Sequence, residues 1–298
     1  MSRSVALLVN PTSGGGRGAR EGRLAADRLR QEGLGVRLLE GAGAEDAVRL
    51  AREAVAGGVD ALVVAGGDGM VHIGVQCVAG TGVPLGMVPT GTGNDFATAL
   101  GIPAHDPAAA AQVIARWTPT DIDAVLTDSV VGKRWYAGVM SSGFDSAVNE
   151  RANRMRWPRG RSRYNIAIMA ELGVFKPLPF RVTVDGAETE VEAMLTAVGN
   201  NTSYGGGMKV TPGAVLDDGL LHVTVLRRLS KVEFLRVFPR VYKGTHVDHP
   251  AVDVLVGREV RLEAPGAVAY ADGERIGALP VTATCVPGAL RVLSWDPT

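Results

Sequence analysis

The chain has 298 residues, 46% hydrophobic and 21% charged, with 31 basic residues balanced by 31 acidic ones. That length predicts two domains of ordinary globular material with ample core. A net charge of zero excludes nucleic-acid binding by overall field, the distant pair Cys77 and Cys285 excludes a disulfide framework or a cysteine metal cluster, and no run approaches the ~18 apolar residues of a membrane span.

The sequence enters a strand pattern within a few residues, with no leader pattern before it, so a cytoplasmic protein with at most peripheral membrane contact is expected. Residues 5–9 form a continuous apolar run, the mark of a strand buried on both faces. Asn10-Pro11-Thr12-Ser13-Gly14-Gly15-Gly16 is a loop, and a helix with Leu24, Ala25 and Leu29 on one side runs to Gly33. A second strand at 36–39 leads into Glu40, and a helix near 45–56 carries Val48, Ala51 and Val55 at helical spacing. The third strand, 61–65, ends in Gly66-Gly67-Asp68-Gly69-Met70 and is followed by a helix near 71–78. A fourth strand precedes Pro89-Thr90-Gly91-Thr92-Gly93-Asn94-Asp95-Phe96. Helices start near Asp95 and at Asp106-Pro107, an acid suited to capping before a proline suited to the first helical position. Strands alternating with helices predict βαβ units and a parallel sheet.

Near Thr120 the texture changes. Short strand-like runs at 121–126, 135–140, 180–184, 193–198, 220–226, 252–256, 260–263 and 281–286 are separated by turns such as Asp185-Gly186 and Asp218-Gly219, with helices near 164–173 and 231–241. The expected fold class is α/β: a Rossmann-like parallel-sheet nucleotide domain at 1–125, and a mostly antiparallel β-rich substrate domain at 126–298 whose last residues return to the first. The active site is expected in the cleft between them.

Two strand–loop–helix units side by side, one around Asp68 and one around Asp95, would present backbone N–H groups, hydroxyls and carboxylates to a phosphate-bearing ligand. Gly14-x-Gly16-x-x-Ala19, with Glu40 ending the second strand, also fits a dinucleotide fingerprint, which makes an NAD(P)-dependent oxidoreductase the rival reading. Against it, Asn10-Pro11-Thr12-Ser13 separate the strand from the first glycine, and no Gly-x4-Gly-Lys-Ser/Thr string occurs to make an ordinary P-loop. Asp272-Gly273-Glu274 reads either as a solvated hairpin turn or as a general base with a second carboxylate beside it. Asp217-Asp218-Gly219 is most simply a turn, although a hard cation could take one of its carboxylates with nearby carbonyls. Asn200-Asn201, ahead of Gly205-Gly206-Gly207, gives a polar loop suited to lining a cleft. Arg151, Arg154, Arg156, Arg159, Arg161 and Arg163, with Trp157 among them, read as a solvated face or as a patch adsorbing to anionic lipid.

Taken together, Asn10-Pro11-x-Ser13-Gly14, Gly66-Gly67-Asp68-Gly69, Pro89-Thr90-Gly91-Thr92-Gly93-Asn94-Asp95-Phe96-Ala97, Asn200 with Gly205-Gly206, Asp217-Asp218-Gly219 and Asp272-Gly273-Glu274 resemble the soluble diacylglycerol kinase and lipid kinase family, a relative of the NAD kinases. The Gly-Thr-x-Asn-Asp-Phe string separates the chain from the NAD kinases. The resemblance implies ATP at Asn10, Pro11, Thr12, Ser13, Gly14, Gly66, Gly67, Gly69, Gly91 and Thr92, with Glu40, Met70 and Asn94 as further nucleotide contacts. It places Asp68 and Asp95 near the phosphates and their Mg²⁺, and makes Glu274 the proton acceptor with Asp272 beside it. It implies a structural Mg²⁺ on Asp218 and the backbone oxygens of Val215 and Leu220. Met70 stands where the family usually has threonine, and His72-Ile73 where it has asparagine-glutamate. The implied activity is ATP-dependent phosphorylation of a lipid hydroxyl, diacylglycerol first. Sphingoid bases, ceramide, phosphatidylglycerol or polyprenols are alternative acceptors, and a weak or regulatory nucleotide-binding relative is the alternative to an enzyme. The expected partners are a lipid at a membrane surface, met through the arginine run, and a second copy of the chain; nucleic acid is not expected.

Overall fold

A computed structural model describes residues 3–294 except 12–15, 17, 92, 105, 156 and 158–160. The first half alternates β1 (Ser4–Val9), α1 (Gly18–Gln31), β2 (Gly35–Glu40), α2 (Ala44–Ala56), β3 (Ala61–Gly66), α3 (Asp68–Val78), β4 (Leu85–Pro89), α4 (Asp95–Ala99) and α5 (Pro107–Arg116). Strands β4, β3, β1 and β2 lie in that order, all parallel. The apolar runs follow from burial on both faces. Val5, Leu7 and Val9 pack with Ala25, Leu29 and Ile114 of α1 and α5. Ala6 and Leu8 pack on the other face with Ala51, Val71 and Val75 of α2 and α3. Asp106 caps α5, its Oδ1 accepting from the N–H groups of Ala108 and Ala109 at 3.0 Å.

The second half runs β5 (Pro119–Ser129), β6 (Gly132–Tyr136), β7 (Val139–Gly143), α6 (Phe144–Arg154), α7 (Arg161–Val174), β8 (Leu178–Val184), β9 (Ala187–Gly199), β10 (Leu221–Arg227), α8 (Lys231–Val237), two 3₁₀ turns (Phe238–Lys243 and Thr245–Asp248), β11 (Val252–Gly257), β12 (Glu259–Glu263), β13 (Val268–Ala271), β14 (Glu274–Ala278) and β15 (Val281–Leu293). The order β14-β13-β7-β9-β8-β12-β15 is antiparallel throughout. Thus a parallel α/β half is joined to an antiparallel β-rich half.

Strand β15 joins the two cores. Val281, Ala283 and Cys285 belong to the β-rich core, whereas Leu290 and Val292 belong to that of the parallel sheet, and Val292 pairs in parallel with Leu85 of β4. A register shift against β5 between Val286 and Leu290 marks the crossing. Asp185-Gly186 forms the tight turn between β8 and β9, both residues at positive φ. Asp218-Gly219 is not such a turn: it lies in the long loop between β9 and β10. Helix α6, absent from the sequence reading, buries Phe144, Val148 and Ala152 with Ala167 and Leu172 of α7 and Phe234 of α8. The Phe144 ring meets Phe175 and Phe234 edge-on, at centroid distances of 5.5 and 4.9 Å.

Candidate active site

Strands β3 and β4 deliver their loops to the same sheet edge, and the loops touch backbone to backbone. A Cβ on Gly91 would lie 2.4 Å from the Cα of Gly67, so a side chain at that position would force the loops apart. Thr90 N–H donates to the Gly66 carbonyl at 2.9 Å. Asn94, at φ 62°, donates from Nδ2 to the carbonyls of Gly91 and Ala104 at 3.1 Å, and its Oδ1 is buried without a partner. Asp68 opens α3 and reaches across to the start of α4, accepting from Asn94 N–H at 2.9 Å and Phe96 N–H at 3.4 Å. Burial, then the neighbouring charges of Asp95 and Asp272, push the Asp68 carboxyl above its ordinary range.

The other acids join this edge to the β-rich half. Asp95 accepts from the N–H groups of Gly206 at 2.6 Å and Gly207 at 2.7 Å, tying α4 to the loop after β9. Asp272, at φ 51°, accepts from three successive amides: Ala137 at 3.1 Å, Gly138 at 3.0 Å and Val139 at 3.2 Å. The buried His72 of α3 presents Nδ1 at 3.7 Å from Asp272 Oδ2. The Gln76 amide lies 3.3 Å from His72 Nε2, and the same side chain binds the Trp135 backbone. With Gln76 donating, the hydrogen-bond network assigns the His72 proton to Nδ1, facing Asp272.

Glu274 is different. It is exposed at the start of β14, and of these carboxylates it alone makes no hydrogen bond among the described residues. Its Oε1 would lie 3.7 Å from a Cβ placed on Gly69, so it stands over the first turn of α3, where helix N–H groups lack intrahelical partners.

Asn10, Glu40 and Gly66 share this sheet edge, since Val9 pairs with both Glu40 and Ala65. Asn10 and Pro11 are half-buried and Glu40 is exposed. Thr12, Ser13, Gly14 and Thr92 lie outside the described residues. The nucleotide contact expected of Met70 needs correction. Its side chain is 6% exposed and belongs to the core beneath the sheet, and a Cβ on Gly66 would lie 2.3 Å from Met70 Cγ. Helical geometry turns the third residue of α3 inward. Met70→Thr is therefore expected to lower stability by about 2–4 kcal/mol, through lost packing and a buried hydroxyl. Urea denaturation checks it.

Asp218 accepts from Leu220 N–H at 2.9 Å, closing a local turn, and Val215 is exposed. One carboxylate with two carbonyls is a sparse set for a hard cation. No group of three or more His, Cys, Asp or Glu able to hold a metal occurs among the described residues. The sequence reading missed Asp123, which holds this loop. Buried on β5, it accepts from Gly219 N–H at 2.6 Å and Gly288 N–H at 2.9 Å, thereby fastening the loop to the irregular stretch of β15. Burial, with Asp123 alongside, pushes the Cys285 thiol up to about 12. Also missed was Asp145 at the start of α6. It accepts from Ser141 Oγ at 2.6 Å and bonds Tyr204, beside the loop that Asp95 holds, and burial pushes its carboxyl up.

A cavity of about 570 Å³ opens between α6, α7 and the approach to β13, lined by Glu150, Arg151, Arg154, Glu171, Phe175 and Leu178 among others. Glu150 accepts from Tyr270 Oη at 2.9 Å, Arg275 Nε at 3.0 Å and Arg154 at 3.2 Å; these bonds, that from Tyr270 foremost, hold its carboxyl below the usual range. Arg275 adjoins Glu274, so the cavity wall and the Glu274 turn are directly linked. Arg151 pairs with Glu171 at 2.5 Å in that wall. Of the six arginines, Arg151 and the exposed Arg154 line the cavity and Arg163 is half-buried, while Arg156, Arg159 and the side chain of Arg161 lie outside the described residues.

Residues 4–127 match the family model of the diacylglycerol kinase catalytic domain, and residues 138–294 match that of the YegS C-terminal NAD kinase beta sandwich-like domain. The chain is 45% identical over 293 residues to a diacylglycerol kinase of Mycobacterium tuberculosis, covering 97% of this chain and 94% of that one. It is 33% identical over 260 residues to a Stenotrophomonas maltophilia protein named "probable lipid kinase YegS-like", covering 83% of this chain and 82% of that one. In fold it resembles the crystal structure of a diacylglycerol kinase from Bacillus anthracis str. Sterne, with a TM-score of 0.75, 20% identity, and coverage of 99% of this chain and 97% of that one.

Proposed function

This chain belongs to the diacylglycerol kinase and YegS-like lipid kinase family, and we propose that it transfers the γ-phosphate of ATP to a lipid hydroxyl, with diacylglycerol the first candidate acceptor. The observation that carries this reading is the unengaged Glu274 carboxylate above a glycine-lined helix start, one residue from the Arg275 link to an amphipathic cavity.

ATP fits the paired loops on three grounds. Gly67 and Gly91 let the two loops close backbone to backbone into one cradle, the first-turn N–H groups of α3 suit phosphate oxygens, and the buried Asn94 Oδ1 is an acceptor without a partner. Mg²⁺ carried with the nucleotide would neutralise phosphate charge, and Asp68, whose charged form is disfavoured in the free protein, is the carboxylate placed to hold it. The acceptor's apolar tail would lie against Phe175 and Leu178 while its hydroxyl reaches Glu274. Glu274 takes the hydroxyl proton as the oxygen attacks the γ-phosphorus in line, ADP leaves, and the proton passes to water. Most of the rate then comes from holding the reactants in line.

Transfer of label from γ-labelled ATP to a panel of lipid alcohols in mixed micelles tests the reading. Labelled phosphatidic acid is expected. Label on another lipid alcohol would move the acceptor assignment, and NADH binding without any ATP signal would restore the dinucleotide reading. Asp68→Asn separates function from stability. Because the folded-state pKa of Asp68 is raised, the native protein gains stability as pH falls through that pKa and loses it as pH rises above the unfolded value of about 3.9. At neutral pH the neutral amide relieves the disfavoured charge but sets an amide nitrogen against one of the two N–H donors, so ATP turnover is expected to fall far more than the small change in melting temperature accounts for. A lower melting temperature with normal turnover would refute this role.

A further inference from the structure

The arginine run leaves an exposed apolar helix face unaccounted for. Between residues 164 and 175 the sequence has one charged residue, Glu171, and Arg151 draws it into the cavity wall. Helix α7 buries Ala167 and Leu172 against α6 and α8. Its other side exposes Ile166, Met169, Ala170, Gly173 and Val174, an i, i+3, i+4, i+7, i+8 stripe without a charge. Met169 is 61% exposed and Val174 63%. Helix α2 shows the ordinary alternative, an outer side carrying exposed Glu45, Arg49, Arg52 and Glu53. A helix apolar on both sides needs something to cover the second one.

The segment that meets the C-terminal end of the stripe is cationic. Lys231 binds the Gly173 carbonyl and so holds the start of α8 against the end of α7. From Lys231 to Lys243 the exposed charges are Lys231, Arg236, Arg240 and Lys243 against one acid, Glu233, with exposed Val232, Leu235 and Tyr242 between them. Arg154 and Lys176 are exposed beyond the ends of α7, and Trp157, 81% exposed, precedes it. Apolar side chains flanked by cations, with an exposed indole, are complementary to a bilayer with anionic headgroups rather than to the identical cation-flanked face of a second copy of this chain.

We propose that the outer side of α7, continued by the start of α8, docks on an anionic lipid surface. The opposite side of α7 supplies Glu171 to the cavity wall, so docking would bring that cavity to the membrane. Only this last consequence rests on the lipid kinase reading; the docking does not.

The test is sedimentation of the full chain with vesicles lacking any diacylglycerol, made either of phosphatidylcholine alone or of equal parts phosphatidylcholine and phosphatidylglycerol. Binding is expected to favour the anionic vesicles and to weaken as salt is raised. Met169→Glu with Val174→Glu is expected to weaken it about tenfold or more, the scale of losing buried apolar side chains, whereas Val130→Glu with Val131→Glu, the same charge change on the exposed β5–β6 turn, is not. A second measurement needs no change in α7: indole emission should shift to the blue on adding anionic vesicles, and Trp157→Phe should remove most of the shift. Equal binding to both vesicle types, unchanged binding by the α7 variant, or concentration-dependent dimerisation abolished by that variant would each overturn the proposal. Vesicle binding without phosphorylation of any lipid would instead count against the kinase reading alone.

Discussion

Glu274→Gln is expected to lower kcat by about 10²–10⁴-fold, the usual range for losing a general base. The change keeps size and shape, and it sacrifices no hydrogen bond among the described residues, because Glu274 makes none there. Folding and ATP affinity are therefore expected to stay near normal, so that the loss appears in kcat and not in the melting temperature. Asp272→Asn makes the contrasting case. Asp272 is fully occupied by the amides of residues 137–139, and replacing one of its oxygens with an amide nitrogen places donor against donor. That variant should lose stability and turnover together. Steady-state kinetics and thermal denaturation of both variants, with one acceptor lipid, separate a proton acceptor from a residue that shapes the turn carrying it. A Glu274→Gln enzyme turning over within a few fold of normal would remove Glu274 from the chemistry.

The parts of the fold written in local sequence were legible. The apolar runs of β1, β3 and β4, buried on both faces, announced a parallel sheet, and the glycine loops after β3 and β4 announced its ligand edge. Other features depend on distant partners. Asp123 is one charged residue within a strand-like run, and its role appears only when Gly219 and Gly288 are brought to it from 96 and 165 residues away. Helix α6 was obscured because Phe144, Val148 and Ala152 make a thin stripe before a stretch dominated by arginine. Met70 was misplaced for a different reason. Adjacency to a ligand loop suggested contact, whereas the helical period from Asp68 turns that side chain under Gly66 and into the core.

Asp95 is where the family resemblance and the geometry make different predictions. The resemblance puts its carboxylate near the phosphates and their Mg²⁺, while in the structure both of its oxygens are bonded to Gly206 and Gly207, 111 and 112 residues away in sequence. Hydrogen bonds to a charged group are worth roughly 1.5–3 kcal/mol each, so losing the pair removes up to about 3–6 kcal/mol of coupling between α4 and the loop after β9, less what water screens at this half-buried site. If that coupling sets the distance between the phosphate loops and Glu274, Asp95→Ala is expected to cut kcat/KM by about 10²–10⁴-fold, because misalignment acts on the reacting geometry. Nucleotide binding to the paired loops, measured by calorimetry, should survive, and the Mg²⁺ concentration giving half-maximal rate should not change. A metal ligand behaves differently: its removal raises the Mg²⁺ requirement and weakens nucleotide binding with it. Protease susceptibility of the loop at residues 204–207 supplies an independent readout, since a loop released from Asp95 should be cut faster while one beside a lost metal ligand should not. An increased Mg²⁺ requirement with unchanged cleavage would assign Asp95 to the metal and dismiss it as the latch between the two halves.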